Sequence, residues 1–560
     1  MGEVRMRGVW IGLVVACLAA CSGDDGNEDK STDAPADADT DVDTDADADA
    51  DADADSDTDT DSDTDTDTDT GDESTGHTGS TDTGEGPPPW CAADPQVTAF
   101  TIAEGPIDTS VQLGIALDAA APVVARCVMD SDPSQVFFVE STDEVVDHEL
   151  RMTGLIGNET YTCYAAPDCL QRSASPAEVT HTIGLPPSDL RRVDVDIDKK
   201  LGMTGEWTMA SYQLSTFGGE AYIVIWDAEG RVRWWHEVPS GVTIDYEALY
   251  DPDLDEVVFG GGESSEGRVR VIDLWNDELY AFAPVGWQAV RFHHDAKRLE
   301  DGRLITLEVR ENADLSGNVW DGFGIRAHDQ ATGVVDLDIN SQRYVNEGVL
   351  RTAGGFFDVD PYHANWIDLK DDGLGGSTLY VSLCFDQTIL ALDGTTGDVE
   401  WHLGPGKGWT VLDAAGAPLT DAFLPQCQHG LEVLEPNHLL VYDNGQNRGS
   451  SSAQEWAIDP VAQTATLLWS WTEPGWREDF LGDIDLLEGD RVLLTQATFF
   501  GRSELVEVDR ATGMVASRLE LQGGYTYRAE RYMGCDLFHD VQACDTLAAR
   551  HDEVVDILTP

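Results

Sequence analysis

From about residue 200 onward, an apolar strand six times runs into an Asp-led turn and a second strand follows. The copies are IVIWDAEGRVRWW, VRVIDLWNDELYAF, IRAHDQATGVVDL, ILALDGTTGDVEW, EWAIDPVAQTATLLW and LVEVDRATGMVAS, with Asp227, Asp273, Asp329, Asp393, Asp459 and Asp509 at the turns. An aspartate opening such a turn accepts a backbone hydrogen bond from two residues on, and glycine supplies positive φ. Upstream of most copies lies another strand pair with its own turn, as in RLEDGRLITL, VLEPNHLLVY and LLEGDRVLL. Two hairpins make a four-stranded unit, and six such units arranged radially close into a ring with no long exposed edge. The 16 tryptophans suit flat packing between the units. An open solenoid would not need paired hairpins. The expected fold is all-β, a six-bladed β-propeller over residues 195–560.

Residues 90–188 have another rhythm. VQLGIAL, APVVARCVM, SQVFFVE, HELRMTGL, TYTCYAA and AEVTHTI read as short strands of a β-sandwich. The run LIGNETYTCYAA resembles the E–F corner of fibronectin type III domains, with Tyr161 as the corner tyrosine. Such a module implies a spacer or docking unit.

The first residues read as an export signal. Arg5 and Arg7 precede the short apolar stretch Val9–Ala20, which is too short to stay in a bilayer as a span. Leu18-Ala19-Ala20-Cys21 resembles a bacterial lipobox, which implies cleavage after residue 20 and lipid on Cys21. Ser22 after it favours the outer membrane, facing the periplasm or the exterior. From Asp37 to Asp69 every odd position is Asp. Such a segment cannot bury a core and its charges repel, so residues 21–89 are expected to be an extended tether. The glycines and closing glutamate of a defined calcium loop are missing from it. With Asp+Glu 106 against Lys+Arg 33, nucleic acid is excluded as a partner, because its phosphates would be repelled. Eight cysteines follow Cys21, an even number that suggests disulfides in an exported chain. Cys535 with Cys544 is a plausible local loop, and Cys91, Cys127, Cys163 and Cys169 cluster in the N-terminal domain.

The residues that suggest chemistry are histidines. His294 stands in FHHDAKRLEDGRLITLE, His363 in YHANWIDLKDDGLGG and His429 in QHGLEVLEPNHLLVYDNG, each ahead of an apolar strand and roughly 65–70 residues apart. In a closed ring, equivalent positions of the third, fourth and fifth blades converge on the axis. The matching places in the second and sixth blades lie near Tyr246 and Gly482, so no repeat-wide structural need explains the three. His293, His236, His328, His402, His438 and His539 lack this placement and are expected to be structural.

HHD followed by LEDG, YHANWID, and QHG followed by LLVYDNGQNRG resemble the HHD, FHxNS and QHD motifs of the arylsulfotransferase family, the last with its DNG…R tail. YTYRAERY (525–532) is similar to that family's last blade, and the resemblance covers roughly residues 200–532. It implies nucleotide-independent transfer of a sulfuryl group from a phenolic sulfate ester to a phenol, with no cofactor. His429 matches the nucleophile that carries a sulfo group. His294 and His363 match the other active-site histidines, and Asn365 matches the asparagine of HxN, a substrate-binding donor.

One departure stands out. In VSLCFDQTILALD, Cys384 sits where the family has an arginine, and the loss removes a bidentate anion clamp. Arg291, Arg310 and Arg448 are the candidate replacements, Arg448 belonging rather to the DNGxxR turn. Cys384 and Cys427 fall in neighbouring blades beside the same motifs and are a candidate disulfide. Two other classes remain open: a non-catalytic propeller that binds a ligand or protein, favoured by Cys384, and a three-histidine metal site. Zinc accepts three imidazoles and an open position, but these three come from separate blades, and no metal is expected.

Overall fold

The computed structural model describes residues 88–560, except 170–174, 215–219, 239–247, 262–267, 283–288, 300, 330–333, 354–358, 372–375 and 499–501. The expected signal segment, Cys21 and nearly all of the tether lie outside the described residues.

Val97–Glu104, Val111–Met129, Val136–Met152, Thr160–Pro167 and Ala177–Thr182 form one antiparallel sheet. VQLGIAL and APVVARCVM are the two halves of one strand, Val111–Met129, and SQVFFVE and HELRMTGL belong together to Val136–Met152. No glycine reverses the chain between the first two halves. Instead the pairing slips from Ala116 to Ala121 and again to Val123, around Pro122, which has no N–H to give. Such irregularities bend a strand. Its first half pairs Val97–Glu104 and its second pairs Thr160–Pro167. The sheet thereby folds over a core that includes Leu113, Ile115, Val123, Phe137 and Tyr161. The Tyr161 hydroxyl accepts the Ile156 N–H at 2.9 Å, the back-bond of a corner tyrosine. Disulfides join Cys91 to Cys169 and Cys127 to Cys163.

The rest is a β-propeller. Among the described residues it contains six sheets built on antiparallel meanders, whose first strands begin at Ala248, Ala289, Ala364, Leu431, Asp483 and Tyr525, and Thr410–Asp413 adds in parallel to the outer edge of the sheet that starts at Leu431. The strand Tyr525–Tyr532 comes last in the chain but pairs Trp207–Gln213, the second strand of the first blade. Both ends of the propeller thus share one sheet and close the ring. Val193–Ile197 adds to the outer edge of the sixth blade. Each first strand, or the strand beside it, packs on the next blade's first strand, from the second blade around to Tyr525–Tyr532 and back. Asp227, Asp273, Asp393 and Asp459 each accept the backbone N–H two residues on at 2.9–3.1 Å, as their turns require. Trp226, Trp234, Trp366 and Trp456 are fully buried in the clusters within and between blades.

After Tyr532 the chain leaves the propeller and covers the N-terminal sheet. Phe138 N–H donates to the His539 carbonyl, and Val541 N–H to the Val136 carbonyl, both at 2.9 Å. The helix Asp545–Val554 and the turn after it bring Val554, Ile557 and Leu558 onto Val124, Phe138 and Ala166. Buried Arg233 of the first blade joins these parts, donating to the Gly154 carbonyl and pairing with Asp227 at 3.1 Å and Asp540 at 2.8 Å. Cys535 and Cys544 are bonded.

Candidate active site

The third, fourth and fifth blades deliver the expected histidines to the axis. His363 and His429 come just ahead of Ala364–Asp371 and Leu431–Glu435. His294 instead lies inside Ala289–Arg298, where pairing skips from Phe292 to Ala296. The backbone φ is +59° at His294, +47° at His363 and +50° at Cys427, two residues before His429. Residues with a Cβ seldom occupy this region, and holding one there costs on the order of 1–3 kcal/mol. Gly430 is dictated by closeness. A Cβ on it would lie 2.2 Å from Asp483 Oδ1 and 2.6 Å from Asp483 Cα, so nothing larger can follow His429 where the fifth blade meets the sixth.

His429 is 1 % exposed. Its Nδ1 faces the Cys427 carbonyl oxygen at 3.1 Å and Asn444 Oδ1 at 2.8 Å. The Asn444 amide nitrogen donates to the carbonyls of Glu478 at 2.8 Å and Leu481 at 2.7 Å, so the amide oxygen is the end that meets the ring. Both partners of Nδ1 can only accept. Nδ1 therefore carries the hydrogen, and Nε2 holds the lone pair. Burial pushes the His429 pKa down to about 3; the Asn444 and Cys427 bonds oppose this, and His363 and Arg528 add to it. The ring is neutral at pH 7.

His363 has different company. Its Nδ1 meets Asp360 Oδ2 at 2.7 Å, and its backbone N–H donates to Asp360 Oδ1 at 2.9 Å. Burial alone would raise the Asp360 carboxyl, but His363 and, behind it, His293 hold it below the usual range. Phe385, on the solvent side, stacks on the His363 ring at 4.6 Å.

His293 is not the bystander the sequence suggests. Its ring lies 4.0 Å from His294 and 5.2 Å from His363, and His294 lies 4.8 Å from His363. Neighbouring side chains of a regular strand point to opposite faces, so one of two adjacent histidines should turn away. The break in pairing and the positive φ at His294 cancel that alternation. The His293 Nδ1 donates to the Ala364 carbonyl at 2.8 Å. Tyr527 stacks on His294 at 5.5 Å and meets His429 edge-on at 6.4 Å. Nitrogens of His293, His294 and His363 lie within 4.8 Å of one another. The donor group around His429 is Cys384 and Cys427 instead, and both sulfurs are committed to a disulfide. Thus the set His294, His363 and His429 does not assemble as metal ligands among the described residues.

Asn365 donates its amide to the Gln428 carbonyl at 2.9 Å, tying the fourth blade to the residue before His429. The main-chain carbonyl of Asn365 accepts Arg528 Nη2 at 2.6 Å. Arg528 is fully buried, with Asp295 at 3.3 Å, Asp483 at 3.8 Å and the Tyr527 ring at 5.1 Å. Two candidate replacement cations are engaged elsewhere. Arg310 pairs with Glu308 and Asp338, while Arg448 binds Asp443 and the carbonyls of Ala422 and Leu424. The side chain of Arg291 lies outside the described residues. Cys384 is bonded to Cys427, and its N–H donates to the His363 carbonyl at 3.2 Å. The disulfide therefore spans the segments that carry His363 and His429.

His236 and His438 lie away from this cluster, against Asn276 and Glu455. The sequence reading left five neighbours of the site without a role: His293, Asp360, Asn444, Tyr527 and Arg528. Four of them lay inside quoted motifs, His293 in HHD, Asn444 in DNG, and Tyr527 and Arg528 in the final strand that closes the ring.

The chain matches the family model described as arylsulfotransferase (ASST) over residues 197–529. No curated protein matches it. Among solved structures, a putative 6-phosphogluconolactonase from Bacteroides fragilis is 10% identical, covering 60% of this chain and 99% of that one at a TM-score of 0.33. TolB from Acinetobacter baumannii is 12% identical over 68% of this chain and 80% of its own, with a TM-score of 0.34. The periplasmic gluconolactonase of Pseudomonas aeruginosa is 13% identical over 59% and 99%, with a TM-score of 0.33. At such scores nothing about function passes from them to this chain.

Proposed function

The chain belongs to the arylsulfotransferase family, and from that premise we propose that it moves a sulfuryl group from a phenolic sulfate ester to a phenol through a sulfo-histidine on His429. The observation that carries this reading is the buried, neutral His429, whose hydrogen is committed at Nδ1 and whose Nε2 lone pair remains for attack. In the first half-reaction the Nε2–S bond forms as the bond from sulfur to the aryl oxygen breaks. The departing phenolate, whose conjugate acid has a pKa near ~10, takes a proton from a neighbouring imidazole, His294 or His363. In the second, the acceptor phenol returns that proton, its oxygen attacks sulfur, and the N–S bond breaks. Covalent capture divides one hard transfer into two easier ones. Asn365 and His294 are the donors for the sulfuryl oxygens, and buried Arg528 supplies positive potential beside them. No nucleotide or other cofactor enters these steps.

The enzyme works outside the cytoplasm, held to the outer membrane by lipid on Cys21 and raised from it by the acidic tether. The fibronectin-like N-terminal sheet is a spacer fixed to the propeller by the C-terminal segment.

The test is turnover of a chromogenic phenyl sulfate with a phenol acceptor, beside His429→Asn. Phenol release that requires the acceptor and vanishes in the variant supports the reading. A folded protein that releases nothing from several donors would point instead to a propeller that binds without catalysis, as Cys384 in the arginine position favours.

A further inference from the structure

We propose that two residues outside the histidine motifs, Asp360 and Asn444, divide the labour of the active site: Asn444 makes His429 the nucleophile, and Asp360 makes His363 the proton carrier. This rests on the sulfuryl-transfer reading, which leaves open whether His294 or His363 moves the proton.

The two histidines are held by the same ring atom at nearly the same distance. Nδ1 of His429 meets Asn444 Oδ1 at 2.8 Å, and Nδ1 of His363 meets Asp360 Oδ2 at 2.7 Å. Only the chemistry of the partner differs. A carboxylate stabilises an imidazolium, whereas a neutral amide orients the ring without adding charge. Asn444 cannot turn over, because its nitrogen is anchored on the Glu478 and Leu481 carbonyls. Ser451 Oγ closes the loop, accepting Glu478 N–H at 2.8 Å and lying 3.1 Å from the Asn444 carbonyl. Asp360 is held ionised by its contacts with His363 despite burial, and Phe385 stacks on the outer side of the His363 ring.

The amide also suits the intermediate. With sulfur on Nε2 and hydrogen on Nδ1, the His429 ring is cationic, and a cationic imidazole leaves readily when the acceptor phenol attacks. A partner that drew off the Nδ1 proton would leave a neutral sulfo-imidazole, which must depart as the poorer leaving group imidazolate. At His363 the demand is reversed. The proton must bind between turnovers and be released to a phenolate, which a paired carboxylate favours.

The experiment pairs two variants of the full chain with aryl sulfates of graded leaving-group pKa. Asp360→Asn should lower kcat about tenfold or more for unsubstituted phenyl sulfate, yet less than about threefold for a nitrophenyl sulfate that needs no proton. Asn444→Ala should lower kcat about 100-fold for every donor alike. A merely structural role would produce no such dependence on the leaving group. Nitrogen-15 spectra of histidine-labelled protein, with His429 identified by its loss in His429→Asn, give a reading independent of turnover. The expected wild-type signals are a protonated Nδ1 and an unprotonated Nε2 at His429, and the variant Asn444→Ala should lose that tautomer. Equal losses across donors in Asp360→Asn, or a wild-type His429 protonated at Nε2, would overturn the proposal. If the wild type turns over no donor but shows the stated tautomer, the transferase reading fails and the orienting role of Asn444 stands.

Discussion

Acidification should cost this protein stability in proportion to how completely His429 is kept neutral. The ring is almost wholly buried, and its pKa is pushed from 6.5 to about 3. A histidine whose folded pKa is lowered takes up its proton more readily when unfolded. The stability it supports is therefore whole above pH 6.5 and lost as pH falls toward 3. Below 6.5 the slope approaches about 1.4 kcal/mol per pH unit, which integrates to about 2 kcal/mol between pH 7 and pH 5 and about 4 kcal/mol by pH 3. His363 and Arg528 face the ring and push its pKa the same way as burial, with Tyr527 edge-on. Glu478, raised by burial to about 8, works the other way, losing stability as pH rises through the range from 4.5 to 8. It is present with or without His429. The measurement is urea unfolding of the wild type and His429→Gln at pH 7 and pH 5, comparing the two changes. The wild type should lose about 2 kcal/mol more than the variant. Parallel losses would mean that His429 titrates in the folded protein as it does in the unfolded chain, and a smaller loss in the wild type that it is held protonated; either would refute the account of a neutral, buried nucleophile.

Gly430→Ala puts a Cβ 2.6 Å from the Asp483 backbone. It should cost about 1–3 kcal/mol in urea unfolding and lower kcat by displacing the adjacent His429, and wild-type values for both would refute the close approach. Replacing Cys384 and Cys427 by serine removes a bridge across 43 residues, worth about 4 kcal/mol by loop entropy. The unfolding midpoint should fall, while peptide mapping of the unreduced wild type should recover the two cysteines as one linked pair; free thiols there would sink the assignment.

The ring of strands was legible because its causes are local. Alternating apolar residues, and an aspartate that caps its own turn, act over a few positions, and Asp227, Asp273, Asp393 and Asp459 do in the structure what their spacing implies. The three motif histidines were legible for the same reason, since each precedes or enters an innermost strand. The N-terminal domain was harder. VQLGIAL and APVVARCVM read as separate strands but form one, because hydrogen bonding resumes beyond Pro122 after a slip in register.

What the sequence by itself determined is the alternation of strand and turn, the order of the motifs, and the residue types at the axis. Tertiary structure alone decided which of those residues meet. Asn444 lies 15 residues from His429 and is aimed by carbonyls 34 and 37 residues beyond it. Arg528 reaches Asn365 from 163 residues away, because the last strand returns to the first blade. His293 joins the site through a backbone irregularity that cancels the two-residue period. Such meetings depend on ring closure and on a few positive φ values, and neither is written in the pattern of apolar and polar residues along the chain.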